Sequence, residues 1–119
     1  MRRDVAGCLD SIERTDEGYR ARFTFPGDLA VFEGHFPGYP LVPGVFLLEA
    51  VRTAAERALD RPLRIRRIDD AKFTAEVRPG ETVAVDANIS DVDAGWRCDA
   101  SLRSDTGAVA SVRLLLAAD

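Results

Sequence analysis

Several residue types on which catalysis and targeting depend are scarce in this chain. Its 119 residues include one histidine, two cysteines and one tryptophan, so imidazole chemistry is confined to His35. No apolar run approaches the ~20 residues that span a bilayer. The start, residues 1–7, lacks the apolar core of a signal peptide, and we therefore expect a cytoplasmic protein. The net charge of −4 gives no reason to expect a nucleic acid or an anionic membrane as a partner.

The two cysteines, Cys8 and Cys98, lie in strand-like patterns and are not spaced like metal ligands. In an intracellular protein such thiols are normally reduced. We expect both to be buried and inert, and we expect no metal site.

One helix is indicated by apolar residues that recur every three or four positions between residues 44 and 60. It begins after Pro43 and ends before Pro62, and proline is tolerated only at the beginning of a helix. The pattern predicts that Arg52 and Glu56 face away from the core. The buried stripe is expected to contain Leu48, Val51, Ala54, Ala55, Ala58 and Leu59.

The rest of the chain alternates apolar and polar residues between short turns, which is typical of half-buried strands. The length is that of one domain, residues 1–119. We predict an α+β fold in which an antiparallel sheet of about six strands curls around one central helix. The predicted strands are 4–14, 19–25, 63–77, 83–89, 96–102 and 108–116.

The stretch from residue 34 to 50 gathers the groups that carry chemistry. Prolines at 37, 40 and 43 fix the backbone around His35 and predict a stiff loop over residues 35–43. The first amides of the helix have no partner within it. Glu49 follows inside the same helix.

Residues 35–50, HFPGYPLVPGVFLLEA, resemble the signature of the 3-hydroxyacyl-(acyl carrier protein) dehydratases of the hot-dog fold, the FabZ/FabA type. Residues 72–81, KFTAEVRPGE, are similar to the strand and turn after the helix in these enzymes, and the matching extends from about residue 20 to 90. The resemblance implies the hot-dog fold and the dehydration of (3R)-hydroxyacyl-ACP to trans-2-enoyl-ACP, in fatty acid or polyketide biosynthesis. It implies no metal or organic cofactor, since the substrate arrives on the phosphopantetheine of the acyl carrier protein.

The same resemblance implies a homodimer or a trimer of dimers, with active sites at the dimer interface. His35 of one protomer would then share a site with Glu49 of the other. The carrier protein is acidic in this family, so Arg64, Arg66 and Arg67 are candidates for docking it, although a solvated strand face explains them equally well.

Three residues are expected to do the chemistry. His35 suits the base that removes the C2 proton, because its ordinary pKa lies near working pH. Glu49 suits the acid that protonates the leaving hydroxyl, if its setting is apolar. The Gly44 amide suits the thioester oxygen. The structural alternatives are a buried histidine, a surface glutamate paired with Arg52, and a glycine required by turn geometry.

Four further residues are candidates for the acyl pocket, with ordinary core or dimer contacts as the alternative. They are Phe36, Tyr39, Val45 and Phe46.

The chain departs from the FabZ pattern in two places. Thr53, preceded by Arg52, stands where FabZ-type enzymes usually have glutamine. Their N-terminal helix and the segment after it are expected to be missing. In this the chain resembles compact dehydratases of secondary pathways such as polyene or polyketide assembly.

Two other functions stay open. A hot-dog thioesterase uses a helix carboxylate to activate water, but His35 at this position argues against it. A non-catalytic subunit would bind acyl chains or pair with an active homologue. The presence of His35 and Glu49 argues against that subunit, whereas Arg52 and Thr53 keep it open.

Overall fold

A six-stranded antiparallel sheet and a 16-residue helix make up most of the structure, a computed structural model that describes residues 1–29 and 41–119. In these residues the strand order is β1-β2-β4-β5-β6-β3. The helices are α1 (Arg2–Ala6) and α2 (Gly44–Leu59). The strands are β1 (Leu9–Arg14), β2 (Gly18–Thr24), β3 (Leu63–Phe73), β4 (Thr82–Val92), β5 (Gly95–Ser104) and β6 (Gly107–Ala118).

The main helix, α2, begins and ends close to the predicted bounds of 44 and 60. Pro43 caps it in an extended conformation, with φ −62° and ψ 146°. Asp60 ends it in the left-handed region, with φ 52° and ψ 48°, and donates its N–H to the carbonyl oxygen of Glu56. Arg14 of β1 donates to the carbonyl oxygens of the last turn, which have no partner inside the helix.

The core lies between α2 and one face of the sheet. Tyr19 and Phe23 of β2 are buried while Arg20 and Arg22 between them are exposed, as the alternation predicts. The Tyr19 hydroxyl donates to the carbonyl oxygen of Val51, 2.8 Å away, and so joins β2 to the middle of α2.

The two sheet edges differ in length. Strand β1 has six residues, whereas β3 has 11 residues with register shifts at Ile65/Arg67 and Ile68/Asp70. Ile68 and Phe73 on β3 are 49% and 46% exposed. This edge therefore carries exposed apolar side chains that the described residues leave uncovered.

One prediction about the N-terminus is wrong. The expectation that the N-terminal helix of FabZ-type enzymes is missing stays a prediction, and α1 has only five residues. Residues 4–14 do not form one strand, because α1 occupies the first part and β1 begins at Leu9. The physical reason is a tertiary contact, since α1 packs on α2 and its Val5 is fully buried.

Two further differences concern the strand after the helix and the outer side of α2. The predicted strand 63–77 ends at Phe73. Arg52 does not face solvent as predicted but is 3% exposed. Within the described residues no helix is long and apolar enough to cross a bilayer.

Candidate active site

The start of α2 places three of the predicted site residues. Gly44 is its first residue. Val45 is 49% exposed, whereas Phe46 is buried with its ring centroid 6.4 Å from that of Phe25. Phe46 thus belongs to the core beside the helix start, and Val45 presents an apolar side chain at the surface.

Three of the predicted site residues, His35, Phe36 and Tyr39, lie outside the described residues. Their predicted roles stay predictions.

The backbone conformation of Gly44 does not explain why this residue is glycine. The described glycines with positive φ are 80, 95 and 107, so the alternative that turn geometry requires Gly44 is wrong. Its neighbour explains it instead, because a Cβ at position 44 would lie 3.0 Å from Cζ of Phe73. The absent side chain makes room for the aromatic ring beside the first amides of α2.

Glu49 lies one and a half turns into α2 and is 6% exposed. Its Oε1 accepts two hydrogen bonds from Arg52, one from Nε at 2.9 Å and one from Nη2. Arg2 of α1 brings its Nε to 3.9 Å from the same oxygen. The alternative for Glu49, a surface glutamate paired with Arg52, is therefore confirmed for the pairing, but it is wrong about the location, because Glu49 is buried.

Arg52 uses its remaining donors on the start of β3. Nη1 donates to the Leu63 carbonyl oxygen at 3.0 Å and lies 2.7 Å from Oε2 of Glu56. The same Glu56 oxygen accepts the Leu63 N–H at 2.8 Å. Burial by itself would lower the pKa of Arg52, but the hydrogen bonds and charges of Glu49 and Glu56 outweigh it and raise that pKa. The guanidinium is thus a fixed charge between two carboxylates.

Sequence reasoning gave the Glu49–Arg52 pair as an alternative but missed the burial of Arg52 and its contacts with Glu56 and Leu63, although a signal for them exists. Positions 49, 52 and 56 carry Glu, Arg and Glu at intervals of three and four, so they share one side of the helix. Alternating charge on one side is usually a solvated face. Here the strand start at Leu63 and helix α1 cover that side.

Comparison with known proteins agrees with the motif. A family model described as ApeI-like, ApeI dehydratase, matches residues 11–113. A 3-hydroxyacyl-(acyl carrier protein) dehydratase FabZ from Wolbachia sp. subsp. Drosophila simulans is 36% identical over 95 residues, which cover 71% of this chain and 66% of that protein. The FabZ of Enterococcus faecalis is 34% identical, covering 72% of this chain and 67% of that protein. The chain thus spans about two thirds of the length of the curated relatives it matches.

Solved structures establish the fold. The dehydratase heterocomplex ApeI:P from Xenorhabdus doucetiae superposes with a TM-score of 0.79 at 22% identity, covering 92% of this chain and 96% of that one. An uncharacterised protein from Erwinia carotovora superposes with a TM-score of 0.68 at 26% identity, and the match covers 92% of each chain. The PaaI protein of E. coli superposes with a TM-score of 0.70 at 18% identity, and the match covers 99% of this chain and 87% of that one. The predicted hot-dog fold, a curled antiparallel sheet around one long helix, is confirmed. The ApeI-like family model matches most of the chain, and this chain therefore belongs to the ApeI-like dehydratase family.

Proposed function

We propose that this protein removes water from (3R)-hydroxyacyl-ACP to give trans-2-enoyl-ACP. The match of the ApeI-like dehydratase model to residues 11–113 carries the proposal. The relatives named FabZ support it, and Glu49 stands on α2 where the dehydratase signature has its acidic residue.

The proposed chemistry uses groups at the start of α2 and in the segment before it. His35 takes the C2 proton, and negative charge develops on the thioester oxygen. The Gly44 N–H, at the positive end of a 16-residue helix, stabilises that charge. Glu49 is the second catalytic group, and the hydroxyl leaves C3 as water. Proton transfer and hydrogen bonding suffice for this elimination, so we propose that no metal or organic cofactor takes part.

The substrate is proposed to arrive on the phosphopantetheine arm of an acidic carrier protein. Of the three candidate arginines on β3, Arg67 is paired with Asp69. Arg64 and Arg66 are exposed and are the better candidates for docking. Their substitution by Ser should raise the KM for acyl-ACP while leaving kcat close to that of the unmodified protein.

A homodimer, alone or in a trimer of dimers, is proposed as the active form in the cytoplasm. The exposed Ile68 and Phe73 on the 11-residue edge strand β3 support pairing with a second copy. Native mass spectrometry measures the assembly directly. The ApeI:P neighbour is described as a heterocomplex, so an accessory subunit that needs a homologous partner is the second candidate.

The test is mass spectrometry of a panel of 3-hydroxyacyl-ACPs of different chain lengths, incubated with the protein, with His35→Ala and with Glu49→Gln. Loss of one water that depends on both side chains supports the proposal, and the preferred chain length then indicates the pathway. Loss of the whole acyl group would identify a thioesterase. No conversion by the protein alone would favour the accessory role.

A further inference from the structure

The buried side chain of Arg52 joins Glu49, the proposed second catalytic group, to the first residue of β3. Arg52 is 3% exposed. Its Nε, at 2.9 Å, and its Nη2 both donate to Oε1 of Glu49, and its Nη1 donates to the carbonyl oxygen of Leu63 at 3.0 Å. Because a guanidinium is planar and rigid, a group bound at one end is fixed relative to a group bound at the other.

The far end of this connection is anchored in the sheet. Leu63 is fully buried and pairs with Ala118 of β6. Its N–H donates to Oε2 of Glu56 at 2.8 Å, and the same oxygen lies 2.7 Å from Nη1 of Arg52. Arg52 can therefore change rotamer only by losing its hydrogen bonds to the carboxylates and to the strand together.

A side chain that takes part in a reaction has to be held in one place. Glutamate rotates about several side-chain bonds, and a misplacement of about 1 Å can lower a rate on the order of 10²-fold. Hydrogen bonds from neighbouring side chains are the usual means of holding such a group. Both N–H groups of Arg52 that reach Glu49 bind the same oxygen atom, so they fix where that atom lies relative to β3.

A purely structural staple between α2 and β3 is the other explanation of Arg52. Stability alone does not require an arginine there, because the loss of hydration of a buried ion pair often exceeds its Coulombic attraction. Well-packed apolar residues at such positions often give an equally stable protein. A role for the carboxylate of Glu49 explains why a charged, forked donor is buried beside it.

We infer that Arg52 is a positioning residue that acts in the dehydration through Glu49, whose side chain it ties to the start of β3. The inference rests on the proposed function, in which Glu49 is the second catalytic group. Arg52 needs no contact with the substrate for this role. The reaction should therefore depend on the shape of the guanidinium and not on its charge alone.

The kinetic test measures kcat and KM for 3-hydroxyacyl-ACP in three variants. Arg52→Gln should lower kcat about 10²-fold with KM within about twofold, because Glu49 is misplaced while the substrate still binds. Arg52→Lys keeps the charge and loses the fork, so kcat should fall about tenfold. Glu56→Gln is the matched control: it changes a partner of the same guanidinium and leaves both donors to Glu49. It should lower Tm and keep kcat within about threefold. Equal losses of kcat in Arg52→Gln and Glu56→Gln, or full activity in Arg52→Lys, would overturn the inference.

A double-mutant cycle separates action through Glu49 from a general loss of structure. In the Glu49→Gln protein, the further change Arg52→Gln should alter kcat by less than about threefold, because the group that Arg52 positions is already lost. A further loss of about 10²-fold would show that Arg52 acts on something other than Glu49 and would overturn the inference. If Arg52→Gln does not fold, Arg52→Lys replaces it in the cycle. Its tenfold loss should then disappear in the Glu49→Gln background, and persistence of that loss would count against the inference.

A measurement without substrate separates failure of this inference from failure of the proposed function. Nitrogen NMR of the arginine side chains follows the exchange of Nε–H with solvent, and Arg52→Lys identifies the signal of Arg52. Its exchange should be at least about tenfold slower than that of the exposed Arg22, and Glu49→Ala should remove most of this protection. Exchange as fast as that of Arg22, or protection that is unchanged in Glu49→Ala, would overturn the inference even in an active enzyme. A protected signal in a protein that dehydrates no member of the panel would count against the proposed function instead.

Discussion

The aromatic ring of Phe73 lies against Gly44, so closely that a Cβ at position 44 would come within 3.0 Å of Cζ and 3.2 Å of Cε1. Phe73 is the last residue of the edge strand β3, and Gly44 is the first of α2. Phe73 is 46% exposed, so it is only partly covered. Through this contact, the helix start with its proposed thioester-binding amide is positioned by the end of β3.

Gly44→Ala should reveal this contact through its dependence on Phe73. Overpacking typically costs about 1–3 kcal/mol, and a partly exposed ring gives way easily, so we expect about 1 kcal/mol of lost unfolding free energy. In a Phe73→Ala background the same change should be neutral or stabilising, since alanine is the better helix former by up to ~1 kcal/mol. Urea unfolding of the four proteins measures both effects. The same loss in both backgrounds would show that the ring does not restrict position 44.

Two hairpin glycines allow the cost of backbone strain to be compared with and without a steric collision. Gly95 and Gly107 both have positive φ, 141° and 128°. A Cβ at Gly95 would lie 2.1 Å from the carbonyl oxygen of Leu116, whereas at Gly107 no atom lies within 4 Å. Gly107→Ala should cost only the strain of its backbone conformation, about 1–3 kcal/mol.

Gly95→Ala carries the same strain and a collision with backbone as well, so it should cost clearly more and prevent folding if the β5–β6 pairing cannot move apart. Thermal unfolding followed by circular dichroism ranks the two variants. Equal Tm values would mean that β5 and β6 separate freely at this end.

Local pattern accounts for what could be predicted of the fold. The period of α2 and the proline on either side of it gave its bounds within one residue at its C-terminus, and the alternation of Tyr19, Ala21 and Phe23 gave the inner face of β2. These features depend on residues close in sequence. Helix α1 could not be predicted, because Val5 is helical in a segment that packs on a helix about forty positions away.

In the candidate site, too, features that depend on nearby residues were predictable and features that depend on distant segments were not. The positions of Gly44 and Glu49 on α2 follow from the motif. The burial of Arg52 does not, because it depends on Leu63 returning to the middle of the helix, where its N–H and carbonyl oxygen meet Glu56 and Arg52. A charged stripe becomes a buried network only when another segment covers it, and no local pattern states which segment does so.

Substitution of Asp60, the left-handed residue that ends α2, should increase the stability of the protein. Asp60 has φ 52° and ψ 48°, a conformation that costs residues other than glycine up to about 1–2 kcal/mol, with aspartate among the more tolerant. Its negative charge also lies at the negative end of the helix. We expect Asp60→Gly to raise the unfolding free energy by about 1 kcal/mol.

Asp60→Asn separates the two causes, because it removes the charge and keeps a side chain that tolerates this conformation. Asp60→Asn should raise the unfolding free energy only by the part that comes from the charge, about 0.3–1 kcal/mol at low salt. That part should be smaller in high salt. Urea unfolding at two salt concentrations measures both. A loss of stability in Asp60→Gly would mean that the aspartate makes a compensating contact.

The buried thiol Cys98 should make the protein unstable in alkali. Burial, assisted by the charge of Asp99, raises the pKa of Cys98 from 9.0 to about 12. Above about pH 9 the unfolded chain therefore loses a proton that the folded protein keeps. The contribution of Cys98 is fully present below pH 9 and is lost as pH rises to about 12, at ~1.4 kcal/mol per unit. Burial also raises the pKa of Tyr19 well above 10, and of Cys8, with the same sign.

Cys98→Ala removes this thiol and keeps Cys8 and Tyr19, and because Cys98 also contributes to the raised pKa of Tyr19, the variant reports on Cys98 together with that coupling. We expect the variant to be less stable than the unmodified protein at about pH 8, since removing the sulfur from a fully buried position leaves a cavity. Its deficit should shrink by about 2 kcal/mol on going to about pH 10.5, because alanine has no proton to lose. Urea unfolding of both proteins at the two pH values measures the difference. If the deficit stays constant, the Cys98 thiol ionises as readily in the folded state as in the unfolded one, which would place it in contact with water rather than in the core.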